Sequence, residues 1–150
     1  DKCRSLQERL EADLQSKRWA CSSGSAAAKD AVWEAYKNLG DLLFDKGDAP
    51  QAMKCFVRMR DYAATSQKTA QVCARVACAA AAVGNWPHAA SYASKAEHYA
   101  SSSLATTQSD DMSAEDFGLK RLVVSLNVAG ALAQVDNKQY EAAAKALSDV

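Results

Sequence analysis

The sequence predicts an all-α fold, a right-handed solenoid of helical hairpins. Three observations carry this. Alanine is abundant and mixes with Leu, Lys, Glu and Gln, all strong helix formers. Only two prolines and six glycines interrupt 150 residues. The string LGDLLFDKGDAPQAMKCFVRM (residues 39–59) returns as VACAAAAVGNWPHAASYASKA (residues 76–96), a shift that carries Gly47 onto Gly84.

Taken in order, residues 2–19 read as a leading helix, with Leu6, Leu10 and Leu14 on one stripe; it forms a segment over 1–21. CSSGSAA is a loop. Helices are expected over about 28–46, 49–64, 67–83 and 87–101, making two hairpins over 28–100. Residues 101–116, SSSLATTQSDDMSAED, read as a flexible acidic, Ser-rich loop with little apolar content to bury. Helices resume over about 114–135 and 137–149, a further hairpin over 117–150, with Ser113 and Asp116 spaced as a capping start. In this fainter third copy Gly130 is set against Gly40, and Ala142 against Ala52.

Within the first copy Tyr36, Leu39, Gly40 and Leu43 fall on one helical stripe, and Ala52, Phe56 and Met59 on a second. This is the spacing of tetratricopeptide-like repeats. Gly40 and Ala52 remove side chains where two helices cross, and Phe56 fills the space between hairpins. Gly47 and Gly84 supply the left-handed residue that ends a helix. Asp48 and Asn85 cap the next one, and Pro50 and Pro87 fit its first turn, where no intrahelical N–H is needed. Ala89 repeats Ala52. All of these residues are assigned to packing. A next repeat would stack after Val150, leaving an apolar end made by Ala133, Val135, Ala143, Ala146 and Leu147.

The formal net charge is zero, which argues against nucleic acid as a main partner, since phosphate neutralisation needs clustered Lys and Arg. No apolar run approaches the roughly 20 residues of a membrane span. The first residues are too polar for a signal peptide, and the absence of an initiator Met reads as a trimmed chain. Five cysteines without a CxxC argue against a disulfide framework or a zinc site. They read as free thiols in a reducing compartment, cytoplasm or nucleus.

Catalytic signals are missing. His88 and His98 have no cysteine at metal-ligand spacing, and no GxSxG, HExxH or phosphate-binding loop occurs. The carboxylate pairs Asp110–Asp111 and Glu115–Asp116 lie in the flexible loop, whereas catalytic carboxylates need a rigid position. The reading is a non-enzyme without cofactor or metal. One asymmetry remains. Lys54, Arg58, Arg60, Lys68 and Arg75 stand against Asp61 alone over residues 54–75. They form either a solvated face or a basic surface for an acidic partner. Trp86, in GNWPH, either covers a hairpin end or anchors an interface. Arg60, Asp61, Tyr62, Thr65 and Ser66 have no equivalents in the second copy and are not demanded by packing. They are candidate contact residues, with a local Asp61 pair to Arg58 or Arg60 as the other reading.

Gly40-Asp41, Gly47-Asp48, Ala52, Lys54-Cys55-Phe56, Arg58, Arg60-Asp61-Tyr62 and Thr65-Ser66, followed by Gly84-Asn85-Trp86, His88, Tyr92 and Lys95-Ala96-Glu97, resemble the family of COP-nine signalosome subunit one. RLVVSLNVAGALAQVDNKQYEAAAKAL is similar to a later repeat of that family. The proteasome lid paralogue shares the helical-repeat plan; the Arg-Asp-Tyr-x-x-Thr-Ser string fits the signalosome branch better. The resemblance implies an N-terminal scaffold arm, followed in such proteins by a PCI domain that this chain does not reach. It implies an eight-subunit complex, in nucleus and cytoplasm, that removes the ubiquitin-like NEDD-eight from cullins, with catalysis in another, metal-dependent subunit. The implied partners are other signalosome subunits and cullin-RING ligase components, with no membrane. Two alternatives are a proteasome lid subunit and a stand-alone peptide-binding module with Lys54, Arg58 and Arg75 as a clamp.

Overall fold

The computed structural model describes residues 2–106, 124, 128, 130, 131, 134, 135 and 138–148. The fold is all-α, a helical-repeat chain, and no strand occurs among the described residues. The helices bounded by described residues are α1 (Lys2–Ala20), α2 (Ala26–Asp45), α3 (Ala49–Met59), α4 (Ser66–Ala82), α5 (Trp86–Thr106) and α6 (Tyr140–Ser148), and residues 124, 128, 130, 131, 134 and 135 are also helical. Short 3-10 turns follow α1 at Cys21–Ser23 and α3 at Arg60–Tyr62. The chain divides into two compact units, Asp1–Thr65 and Ser66–Val150.

In the first unit α1 packs on α2, and α2 on α3. Of the expected α1 stripe, Leu14 is buried, Leu10 half-buried and Leu6 exposed. Lys46 at the end of α2 donates from Nζ to Gln7 Oε1 of α1. Gly24 in the left-handed region closes the turn after α1, and Ser25 then caps α2, its Oγ accepting from the Ala28 N–H at 3.2 Å. That cap starts α2 at Ala26, two residues before the position expected from periodicity alone. Val32, Trp33, Tyr36, Leu39 and Leu43 of α2 bury one stripe, and Ala52, Phe56 and Met59 of α3 bury another. They meet at Gly40. A Cβ built there would stand 2.4 Å from Phe56 Cε1 and 2.8 Å from its Cδ1. The Phe56 ring therefore fills space inside this hairpin, against the Gly40 backbone, rather than only between hairpins.

The α2–α3 and α4–α5 connections share one hydrogen-bonding scheme. Gly47 and Gly84 have φ of 83° and 81°. The Asp48 N–H reaches back to the Leu43 carbonyl, and the Asn85 N–H to that of Ala80, each at 2.9 Å. Asp48 and Asn85 then cap α3 and α5 by accepting from the N–H groups of Gln51 and His88. The same scheme occurs a third time. Lys138, at φ 61°, occupies the place of Gly47, and the Gln139 N–H donates to Gln134. The Ala143 N–H then donates to Gln139 as that of Ala52 does to Asp48.

This corrects the third-copy register by one residue. Ala143, which is buried, stands where Ala52 and Ala89 stand, and Ala142 is exposed. Ala131, also buried, takes the place of Gly40, while a Cβ on Gly130 would meet nothing within 4 Å. Among the described residues nothing packs closely on Gly130, and Ala142 faces outward. Of the apolar end expected near Val150, Val135 and Leu147 are exposed, Ala143 is turned inward, and the side chains of Ala133 and Ala146 lie outside the described residues.

In the second unit α4 packs on α5 through small side chains. Cys73, Ala74, Ala77, Ala93 and Ala96 form one buried cluster, and Ala70 and Ala100 another. Helix α5 runs to Thr106, past the expected end near 101. No Gly or Pro occurs between Pro87 and Gly118, so nothing local stops it earlier. The carboxylates Asp110, Asp111, Glu115 and Asp116 lie outside the described residues.

Candidate protein-interaction surface

The candidate basic residues fall on both units. Lys54, Arg58 and Arg60 belong to the first, Lys68 and Arg75 to the second. On α3 the inward stripe of Ala49, Ala52, Phe56 and Met59 leaves Lys54, Val57 and Arg58 facing out, with Met53 at the margin. These four residues line an open recess of about 220 Å³. Lys54 and Arg58 are exposed, and neither forms an ion pair with a described residue.

The string that stood apart from packing divides in the structure. Helix α3 ends at Met59, and the tighter turn Arg60–Tyr62 follows it. Tyr62 is half-buried and stacks on Tyr36 of α2, ring centroids 5.8 Å apart. Packing within the hairpin therefore accounts for Tyr62. Arg60 and Asp61 are exposed. Asp61 makes no ion pair with Arg58 or Arg60, so the local pairing is absent.

In the second unit Trp86 opens α5 and is half-buried. Beyond it His88 tilts against Tyr92 at 4.8 Å, and Lys95 Nζ lies 4.6 Å from the Tyr92 ring centroid, a cation–π contact. His88 is thereby engaged as a packing group. Cys73 is buried and Cys78 half-buried, packed against the alanine cluster. Burial pushes the Cys78 thiol above its ordinary range, partly offset by Arg75. Burial does the same to Cys55, where Arg58 opposes the shift and Glu11 adds to it. Both thiols are thus held protonated, the opposite of a nucleophilic cysteine. Their contribution to stability is present below the unfolded thiol pKa and is lost as pH rises through the higher folded values. Among the described residues no group of three or more His, Cys, Asp and Glu side chains could hold a metal ion. None of the described helices is long and apolar enough to cross a membrane.

One exposed aromatic residue has no signal in the repeat pattern. Trp19, at the end of α1, is 86% exposed. It stands five residues beyond Leu14 and off the leucine stripe, which was the only indication that it faces outward.

The chain is similar to signalosome proteins over most of its length. It is 27% identical over 138 residues to COP9 signalosome complex subunit 1b of Drosophila melanogaster, covering 92% of this chain and 23% of that protein. It is 26% identical over 123 residues to COP9 signalosome complex subunit 1 of Arabidopsis thaliana, covering 81% of this chain and 24% of that protein. The chain thus spans about a quarter of the length of these relatives. Residues 4–150 match the model of the family described as 26S proteasome subunit RPN7, and the chain belongs to that family.

Proposed function

We propose that this chain is a non-catalytic scaffold and protein-interaction arm of a signalosome subunit one. In this reading it works in nucleus and cytoplasm and contacts other subunits or cullin-RING ligase components. It supports removal of the ubiquitin-like modifier from cullins by a catalytic centre in another subunit. The observation that carries the reading is similarity over 92% of the chain to a signalosome subunit. The arrangement of side chains agrees: packed hairpins present separated charged and apolar groups outward, a layout suited to holding other proteins rather than to chemistry.

The family description favours a second reading, a subunit of the proteasome lid. One experiment separates them. The full-length natural protein is tagged at its locus, purified under gentle conditions, and its partners identified by mass spectrometry. Stoichiometric signalosome subunits are expected. Recovery of proteasome lid subunits instead would establish the second reading, and recovery of neither would overturn both.

A further inference from the structure

The outward face of α3 has a pattern that packing inside the first unit does not use. Residues four apart on a helix form parallel ridges. Here one ridge is Met53–Val57 and the next is Lys54–Arg58. The open recess of about 220 Å³ is the groove between them. One wall is apolar, with Val57 37% exposed, and the other is doubly basic. Clefts for small molecules run to roughly 300–1,000 Å³. This one is smaller and suits a single inserted side chain.

The two cations along this groove make no ion pair with a described residue. Some cations on α1 and α2 have acidic partners a turn away, Arg4 with Glu8, Lys17 with Asp13 and Lys37 with Glu34, while exposed Arg9 and Arg18, like Lys54 and Arg58, pair with no described acid. Lys54 and Arg58 instead have each other at i, i+4, a like-charge spacing that disfavours the isolated helix by roughly 0.2–0.5 kcal/mol. Asp61, three residues beyond Arg58, makes no ion pair with it. Arg58 and Glu11 of α1 both act on the half-buried Cys55, and the two make no ion pair with each other.

We infer that the α3 groove docks an acidic helix of a partner protein. One aliphatic side chain of that helix rests on Met53 and Val57, and two carboxylates a turn apart pair with Lys54 and Arg58. Matching i±4 ridges on both helices set a crossing near −50°. The inference rests on the scaffold reading only in placing that helix on a neighbouring subunit of a complex.

The test uses two synthetic helical peptides, one with glutamates four apart flanking a leucine, the other with lysines in their place. Binding to the chain is read by fluorescence anisotropy, and circular dichroism confirms that each variant is folded. The wild type is expected to bind the glutamate peptide at least tenfold more tightly than the lysine peptide. Lys54→Glu with Arg58→Glu should reverse that preference, and Met53→Ala with Val57→Ala should weaken both peptides without changing the sign. Absence of a glutamate preference in the wild type, or its survival in the charge-reversed variant, overturns the inference. If the full-length wild type still co-purifies with signalosome subunits in that event, the scaffold reading stands alone. If the preference holds and no complex is recovered, the groove stands and the scaffold reading falls.

Discussion

At the scale of single residues, Gly40 is tightly constrained by the Phe56 ring. Two effects of a methyl group there oppose each other. Alanine is favoured over glycine inside a helix by roughly 0.5–1 kcal/mol. Yet the added Cβ would come within 2.4–3.0 Å of three atoms of the Phe56 ring. That ring is a rigid plate only 2% exposed. Forced repacking of this kind costs about 1–3 kcal/mol. The steric term wins, so Gly40→Ala should lower the urea midpoint. Adding Phe56→Leu, which shortens the opposing side chain, should recover part of the loss relative to Phe56→Leu alone. A Gly40→Ala chain as stable as wild type would show that the Phe56 ring can move freely. By contrast Gly47 and Gly84 have no atom waiting for a Cβ, and their requirement is a positive φ. Lys138 meets the same backbone demand without being a glycine.

At the scale of elements, the α4–α5 pair is built from alanine where α2–α3 uses Trp33, Tyr36, Leu39 and Phe56. Small side chains bring helix axes together, since axial spacing follows the side chains at the contact. Ala96 is fully buried in that seam, so Ala96→Leu adds three carbons to a side chain already closed off from solvent. It should cost about 1–3 kcal/mol, against near neutrality for a leucine at the exposed Ser94 of the same helix. Thermal melts of the two variants check this, and equal melting temperatures would contradict a close-packed seam. The elements were also where sequence reading succeeded unevenly. The first two copies were legible because Gly47 and Gly84, Asp48 and Asn85, and Pro50 and Pro87 mark the same turn twice. The third turn carries Lys138 in the left-handed position, so no glycine marks it. The surrounding AGALA and EAAAK strings then permit two registers equally well. Gly130 drew the alignment one residue away from Ala131. Tyr62 was missed as a packing residue for a different reason. The 3-10 turn breaks the α-helical period at Arg60, and Tyr62 falls on Tyr36 only through that tighter winding.

At the scale of the whole molecule, the helical-repeat fold follows from composition and periodicity, while the exposed groups that set its partners do not. Periodicity reports what is buried; Trp19 and the α3 groove are what it leaves over. The division into Asp1–Thr65 and Ser66–Val150 has an energetic consequence. Repeat arrays behave approximately as sums of unit stabilities and nearest-neighbour interface terms, so they open in parts. Phe56→Ala removes a buried ring from the first unit, at a cost of roughly 3–5 kcal/mol. If the chain were one two-state domain, every slowly exchanging amide would lose protection by the same amount. If each unit carries its own stability, the loss is confined. Native-state hydrogen exchange on Phe56→Ala should therefore show faster exchange across α2 and α3, with the amides of α4 and α5 around Ala74, Ala77 and Ala96 retaining most of their protection. The reciprocal variant, Ala96→Leu, should spare α2 and α3. A uniform acceleration across α2 to α5 in either variant would establish a single cooperative unit in place of two.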